Sequence, residues 1–105
     1  MDAKAKVLVV DDVPTNVRLL EAILTSHGYT VISADSGREA LDRVMADRPD
    51  LVLLDIQMPE MDGYEVCRRL REVPATGFLT VAMATSSDSE VWSEAIAVGA
   101  DAFIT

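Results

Sequence analysis

The sequence is poor in the residues that most enzymes and secreted domains rely on. It has one cysteine, Cys67, and one histidine, His27. A single thiol excludes an internal disulfide framework and a cysteine zinc cluster. With one His and one Cys, nucleophile–histidine catalysis has almost no raw material. Positive charge is also scarce: nine Lys and Arg stand against eighteen Asp and Glu, a formal charge of −9. Such a surface repels nucleic acid phosphates and anionic lipid, so neither is an expected partner. No apolar run approaches the roughly 20 residues of a membrane helix. The N-terminus MDAKAKVLVV has no secretory layout, which points to a cytoplasmic location. No GxxxxGK and no GxGxxG is present, so neither a P-loop nor a dinucleotide site is expected. Carboxylates are the abundant reactive side chains.

The 105 residues suit one domain of globular composition. Short apolar runs alternate with helical periodicity. KVLVV (6–10) is strand-like and ends at Asp11 and Asp12. Val13, Val17, Leu20 and Leu24 then recur at helical spacing, widened by Leu19 and Ile23, with Pro14 suited to the first turn and Gly28 to the stop. Further strands read at 29–34, 50–54, 80–84 and 102–105. Ser36 with Glu39, Asp62 with Glu65 and Ser87 with Glu90 are capping patterns that open three more helices. Strands apolar on both faces, alternating with helices, predict a doubly wound parallel α/β sheet with right-handed crossovers. The chain ends in or just after the fifth strand, before a last helix that would cover one face.

In such sheets ligands bind beyond the carboxyl ends of the strands. Asp11 and Asp12 follow the first strand, Asp55 the third, and Thr85 and Ser86 the fourth. If the first and third strands are neighbours, three carboxylates converge in one crevice and repel each other. A proton or a cation would offset that, and an all-oxygen site favours a hard ion such as Mg²⁺. The plainer reading is structural: Asp12 caps the first helix and Asp55 serves a turn. That reading suits any one aspartate better than it suits three. A cation beside a carboxylate suits phosphate chemistry, with the carboxylate as nucleophile. A haloacid-dehalogenase-type phosphatase would carry a second Asp where Gln57 stands, so a Mg²⁺-dependent phosphohydrolase lacks its general acid.

The stretches VLVVDD, DLVLLDIQMPEMDG, ATS and GADAFIT fall in one register that resembles the receiver domain of two-component response regulators, over the whole chain. The resemblance implies a flavodoxin-like five-stranded sheet in the order 2-1-3-4-5. It implies that Asp55 is the phosphoacceptor, receiving a phosphoryl group from a histidine kinase or a histidine phosphotransfer protein. Asp12 would bind Mg²⁺, or Mn²⁺, directly and Asp11 mostly through water, with Asp55 and the backbone carbonyl of Gln57 completing the metal ligands. Thr85 would be the switch hydroxyl and Phe103 the switch aromatic, while Ser86 leaves room beside the phosphoryl group. Such a domain catalyses only its own aspartyl phosphorylation and dephosphorylation. An output domain C-terminal to it and a receiver homodimer are further partners. DDVPTNVRLLEAIL is also similar to receivers attached to diguanylate cyclases and to those in hybrid kinases.

Two departures from the family pattern stand out. The lysine that usually ends strand 5 would come immediately after Thr105, and the final helix is absent. Residues 1–105 are therefore expected to be a receiver domain truncated after strand 5. The alternative is a receiver-like docking module that no longer switches. Thr80 stands where many relatives have proline. Among the remaining residues, Cys67, Met58 and Met61 are expected to be packing residues, Trp92 a half-buried one, and His27 a partner of a helix C-terminus.

Overall fold

In the computed structural model of the chain, KVLVV forms β1 (Lys6–Val10) and LVLLD forms β3 (Leu51–Asp55). Unbroken Val and Leu runs suit strands covered on both faces. β1 lies between β2 (Thr30–Ala34) and β3, and β4 (Thr80–Ala84) and β5 (Ala102–Ile104) follow beyond β3. All pairings are parallel, in the order β2-β1-β3-β4-β5. The structure describes residues 5–56, 58–77, 79–84 and 102–104. The expected helix opening at Ser87, with Trp92, lies outside the described residues.

Three helices are described: α1 (Pro14–Ser26), α2 (Gly37–Asp47) and α3 (Gly63–Glu72). Register aligns Leu8 with Val52 and Val81, and Val10 with Leu54 and Met83. These side chains share one face and pack with Ala40 and Val44 of α2 and Val66, Cys67 and Leu70 of α3. Burying a Leu or Val of this kind stabilises the fold by roughly 1.5–3 kcal/mol each, so this face holds most of the cohesion. Cys67 is fully buried and acts as a small apolar core residue.

The other face is less completely covered. α1 packs against β1 and β2, but none of its residues is buried. Val17, Leu20 and Leu24 are half-buried, whereas Leu19 is 61% and Ile23 46% exposed. The helical period is right, but α1 is the one helix on this face among the described residues, and it is too narrow for the sheet. It covers Val7 and Val9, while Leu51 and Leu53 beside them on β3 stay half-buried.

The helix ends follow the capping patterns in part. Ser36 accepts from the N–H of Glu39 at 3.1 Å, and Glu39 Oε1 accepts from the N–H of Asp35, one residue earlier than a full capping box requires. Asp62 accepts from the N–H of Glu65 at 2.9 Å, but the Glu65 carboxylate turns to Arg69 and Arg68. The hydrogen bond from Arg69, with the charge of Arg68 beside it, holds that carboxyl below the usual carboxylate range. His27 ends α1, its Nδ1 2.9 Å from the carbonyl of Ile23, and Gly28 follows at φ +91°, a conformation that suits glycine. A 3₁₀ turn (Pro74–Thr76), unforeseen in the sequence, links α3 to β4. The buried Thr76 hydroxyl donates to the carbonyl of Leu70 at 2.8 Å, satisfying a group at the end of α3.

The loop between β3 and α3 is held tightly. Ile56 and Met58 are buried, and Met61 packs against the same core. The N–H of Met61 donates to the carbonyl of Pro59 at 2.7 Å across Glu60, whose φ is +69°. This is a γ-turn of the rarer positive-φ hand, a conformation that costs on the order of 1–3 kcal/mol away from glycine. The loop closes where the N–H of Gly63 donates to the carbonyl of Ile56 at 2.9 Å. A Cβ on Gly63 would run into the carbonyl oxygen of Asp55 and stand 2.9 Å from the Cα of Ile56. Only glycine lets α3 begin against the main chain that carries Asp55. Replacing it should therefore strain the loop even though alanine favours a helix by about 1 kcal/mol. Gly63→Ala is predicted to destabilise the domain by about 1–3 kcal/mol in urea unfolding, the usual cost of overpacking. A variant as stable as the native chain would contradict the close approach.

Candidate metal centre

Asp55 is the last residue of β3, rather than the residue after it, and Asp11 directly follows β1. Register pairs Val10 with Leu54, so the two carboxylates leave adjacent strands at the same level. Asp12 is the next residue along. One carboxylate oxygen from each of the three lies within 4.8 Å of the others. Asp11 is buried, at 9% exposure, while Asp12 and Asp55 are half-buried. Asp12 and Asp55 thus keep partial access to solvent, while the burial of Asp11 strengthens the repulsion among the three.

The two neighbouring aspartates are held differently. Asp11 Oδ1 accepts from the N–H of Val13 at 2.9 Å, and Asp11 Oδ2 from the side-chain amide of Asn16 at 3.2 Å. Its own N–H donates to the carbonyl of Ala34 on β2 at 3.1 Å. The structural role that the plainer reading offers Asp12 thus falls to Asp11. The helix cap itself is Val13, which has no side-chain cap, and Pro14 opens the helix without an N–H to satisfy. The reason is reach: an aspartate two residues before Val13 closes an Asx-type turn onto its N–H. Among the described residues Asp12 takes no part in an ion pair, and neither does Asp11.

The donor set fits a hard divalent cation. All three groups offer carboxylate oxygen, and two oxygens bound to one Mg²⁺ at about 2.1 Å stand at most roughly 4.2 Å apart, a small closure from the spacing present. The carbonyl of Gln57, Thr85 and Ser86 lie outside the described residues. Phe103 is described in its backbone alone, where it pairs with Met83 on β4; its side chain lies outside. Asn16 and Gly63 were not anticipated as contributors. An amide five residues after Asp11, in the first turn of the helix, is the signal that would have pointed to Asn16.

Comparison with known proteins agrees with this geometry. The family model for the response regulator receiver domain matches residues 7–105. The chain is 49% identical over 84 residues to the response regulator PleD of Caulobacter vibrioides, covering 80% of this chain and 18% of that protein. It is 40% identical over 101 residues to the alkaline phosphatase synthesis transcriptional regulatory protein PhoP of Bacillus subtilis, covering 95% of this chain and 41% of that one. It thus spans less than half the length of either relative. Among solved structures, chemotaxis protein CheY4 of Vibrio cholerae superposes with a TM-score of 0.91 at 36% identity, over 96% of this chain and 85% of that one. No helix among the described residues is long and apolar enough to cross a membrane. On the strength of these matches, the chain belongs to the response regulator receiver domain family.

Proposed function

We propose that this chain is the phosphoacceptor switch of a two-component phosphorelay, with Asp55 as the nucleophile. The observation that carries the reading is the convergence of Asp11, Asp12 and Asp55 within 4.8 Å at the ends of two adjacent parallel strands. A carboxylate oxygen of Asp55 attacks the phosphorus of a phosphohistidine on a histidine kinase or histidine phosphotransfer protein. The P–N bond breaks as the P–O bond forms, and the imidazole leaves with the electron pair and takes a proton from solvent. Water later hydrolyses the acyl phosphate and returns the carboxylate. Nothing else is turned over, so the domain is a switch rather than a metabolic enzyme.

Asp12 and Asp11 would hold Mg²⁺, or Mn²⁺, together with Asp55 and the backbone carbonyl of Gln57. The ion supplies charge neutralisation at the transferring phosphoryl group. Thr85 would answer phosphorylation with its hydroxyl, Ser86 would leave space beside the phosphoryl group, and Phe103 would turn with the strand-4 and strand-5 face. The family resemblance supports these three roles. The same resemblance supports an output domain beyond residue 105 in a longer protein, and a pairing of receivers as one mode of output.

Two predictions test the reading. With Mg²⁺ and acetyl phosphate, the native chain should gain one phosphoryl mass by intact-mass spectrometry, and Asp55→Asn should gain none. Equal labelling of that variant would falsify Asp55 as the acceptor. Mg²⁺ should also raise native stability, by about 1.4 kcal/mol at ten times its dissociation constant. Asp12→Asn should remove most of that response while leaving the metal-free protein as stable as the native one or more so, because one like charge has gone. A thermal-unfolding midpoint indifferent to Mg²⁺ in the native chain would sink the cation site.

A further inference from the structure

Asp11 holds two hydrogen bonds of different origin. The N–H of Val13 that reaches Oδ1 at 2.9 Å is main chain, and any sequence with this turn would supply it. The amide of Asn16 that reaches Oδ2 at 3.2 Å is a side chain and specific to this sequence. The torsion that turns an aspartate's carboxylate is broad and roughly two-fold. One bond to Oδ1 therefore leaves Oδ2 free to sweep. A bond to each oxygen fixes the carboxylate plane.

Asn16 is well placed to do this. Its N–H donates to the carbonyl of Val13 at 3.0 Å within the first turn of α1, so its side chain starts from a fixed point. Counted from the Val13 cap it is the third helical residue, where a capping box would carry Glu or Gln. A glutamate there could not donate to Asp11 and would add another negative charge beside three. The neutral amide donates and adds none. A carboxylate has about four lone-pair sites, so roughly two remain on Asp11 for water or a cation. Holding Asp11 and binding a cation are compatible.

We infer that Asn16 is a positioning residue for the divalent-cation site, holding Asp11 toward Asp12 and Asp55 without touching the ion. This rests on the reading of those three carboxylates as a cation site. Partners that orient a metal ligand from behind typically change affinity by about 10–100-fold when removed. A neutral amide bonded at 3.2 Å to one of three carboxylates belongs at or below the low end of that range.

The test is a Mg²⁺ titration of the native chain, Asn16→Ala and Asn16→Gln by isothermal calorimetry, with thermal unfolding in Mg²⁺-free buffer run alongside. Asn16→Ala is expected to bind Mg²⁺ about three- to tenfold more weakly. Because Asn16 is exposed, the variant's unfolding midpoint without Mg²⁺ should stay close to the native one. Asn16→Gln keeps the amide on a longer arm and should recover part of the affinity. Mg²⁺ binding by Asn16→Ala within about twofold of native, or tighter, overturns the inference, as does a glutamine variant no better than alanine. A native chain that does not bind Mg²⁺ at all overturns the cation reading and the inference together, a pattern distinct from either of those results.

Discussion

The parallel pairing of β1 with β3 governs the rest of this domain. Matching Val10 to Leu54 sends Asp11 and Asp55 out of the sheet side by side, and Asp12 follows. A slip of one residue would send the Val and Leu side chains of β3 to the opposite faces, and Asp55 would leave the crevice. The register is therefore held by the apolar face formed by Leu8, Val10, Val52, Leu54, Val81 and Met83 against α2 and α3. The same core that stabilises the domain brings like charges together, and the repulsion it forces is what a divalent cation can relieve.

Around that register the loops act through main-chain contacts. Asp11 closes the turn into α1 through the N–H of Val13, while Asn16 takes its other oxygen. On the far side of the crevice, the loop from β3 turns sharply at Glu60 and returns to Ile56 through Gly63. Both loops start at an aspartate of the crevice and end in the first turn of a helix. Small changes in either helix start are thus transmitted directly to a carboxylate. That coupling would suit the phosphoacceptor role proposed for Asp55, because the geometry of the acid decides whether it can act as a nucleophile.

Much of this could be read from the residues. The strands appeared as Val and Leu runs because covered strands have no polar side to show. Ser36 and Asp62 marked helix starts because a cap is a local bond, formed by residues three apart. Gly28 marked the end of α1 for a similarly local reason. The reading faltered where the partner lay elsewhere in the chain. The helical stripe of α1 was correctly placed, yet Leu19 and Ile23 remain exposed, since burial depends on what lies opposite. The turn into α1 is closed by Asp11 rather than by Asp12, a difference of one residue that turn geometry decides. The 3₁₀ turn at Pro74–Thr76 carried no periodic signal, and its buried Thr76 is explained only by the end of α3 that it satisfies.

The sequence by itself determined the alternation of strands and helices, the carboxylates at the strand ends and the family pattern that links them, because each of these is written in neighbouring residues. Tertiary structure alone decided that β1 and β3 are adjacent, that three carboxylates meet within 4.8 Å, and that Gly63 must be small against Asp55. Those are distances between segments roughly forty to fifty residues apart or across a folded-back loop. No local propensity specifies them; they follow from which apolar faces the chain can bury together.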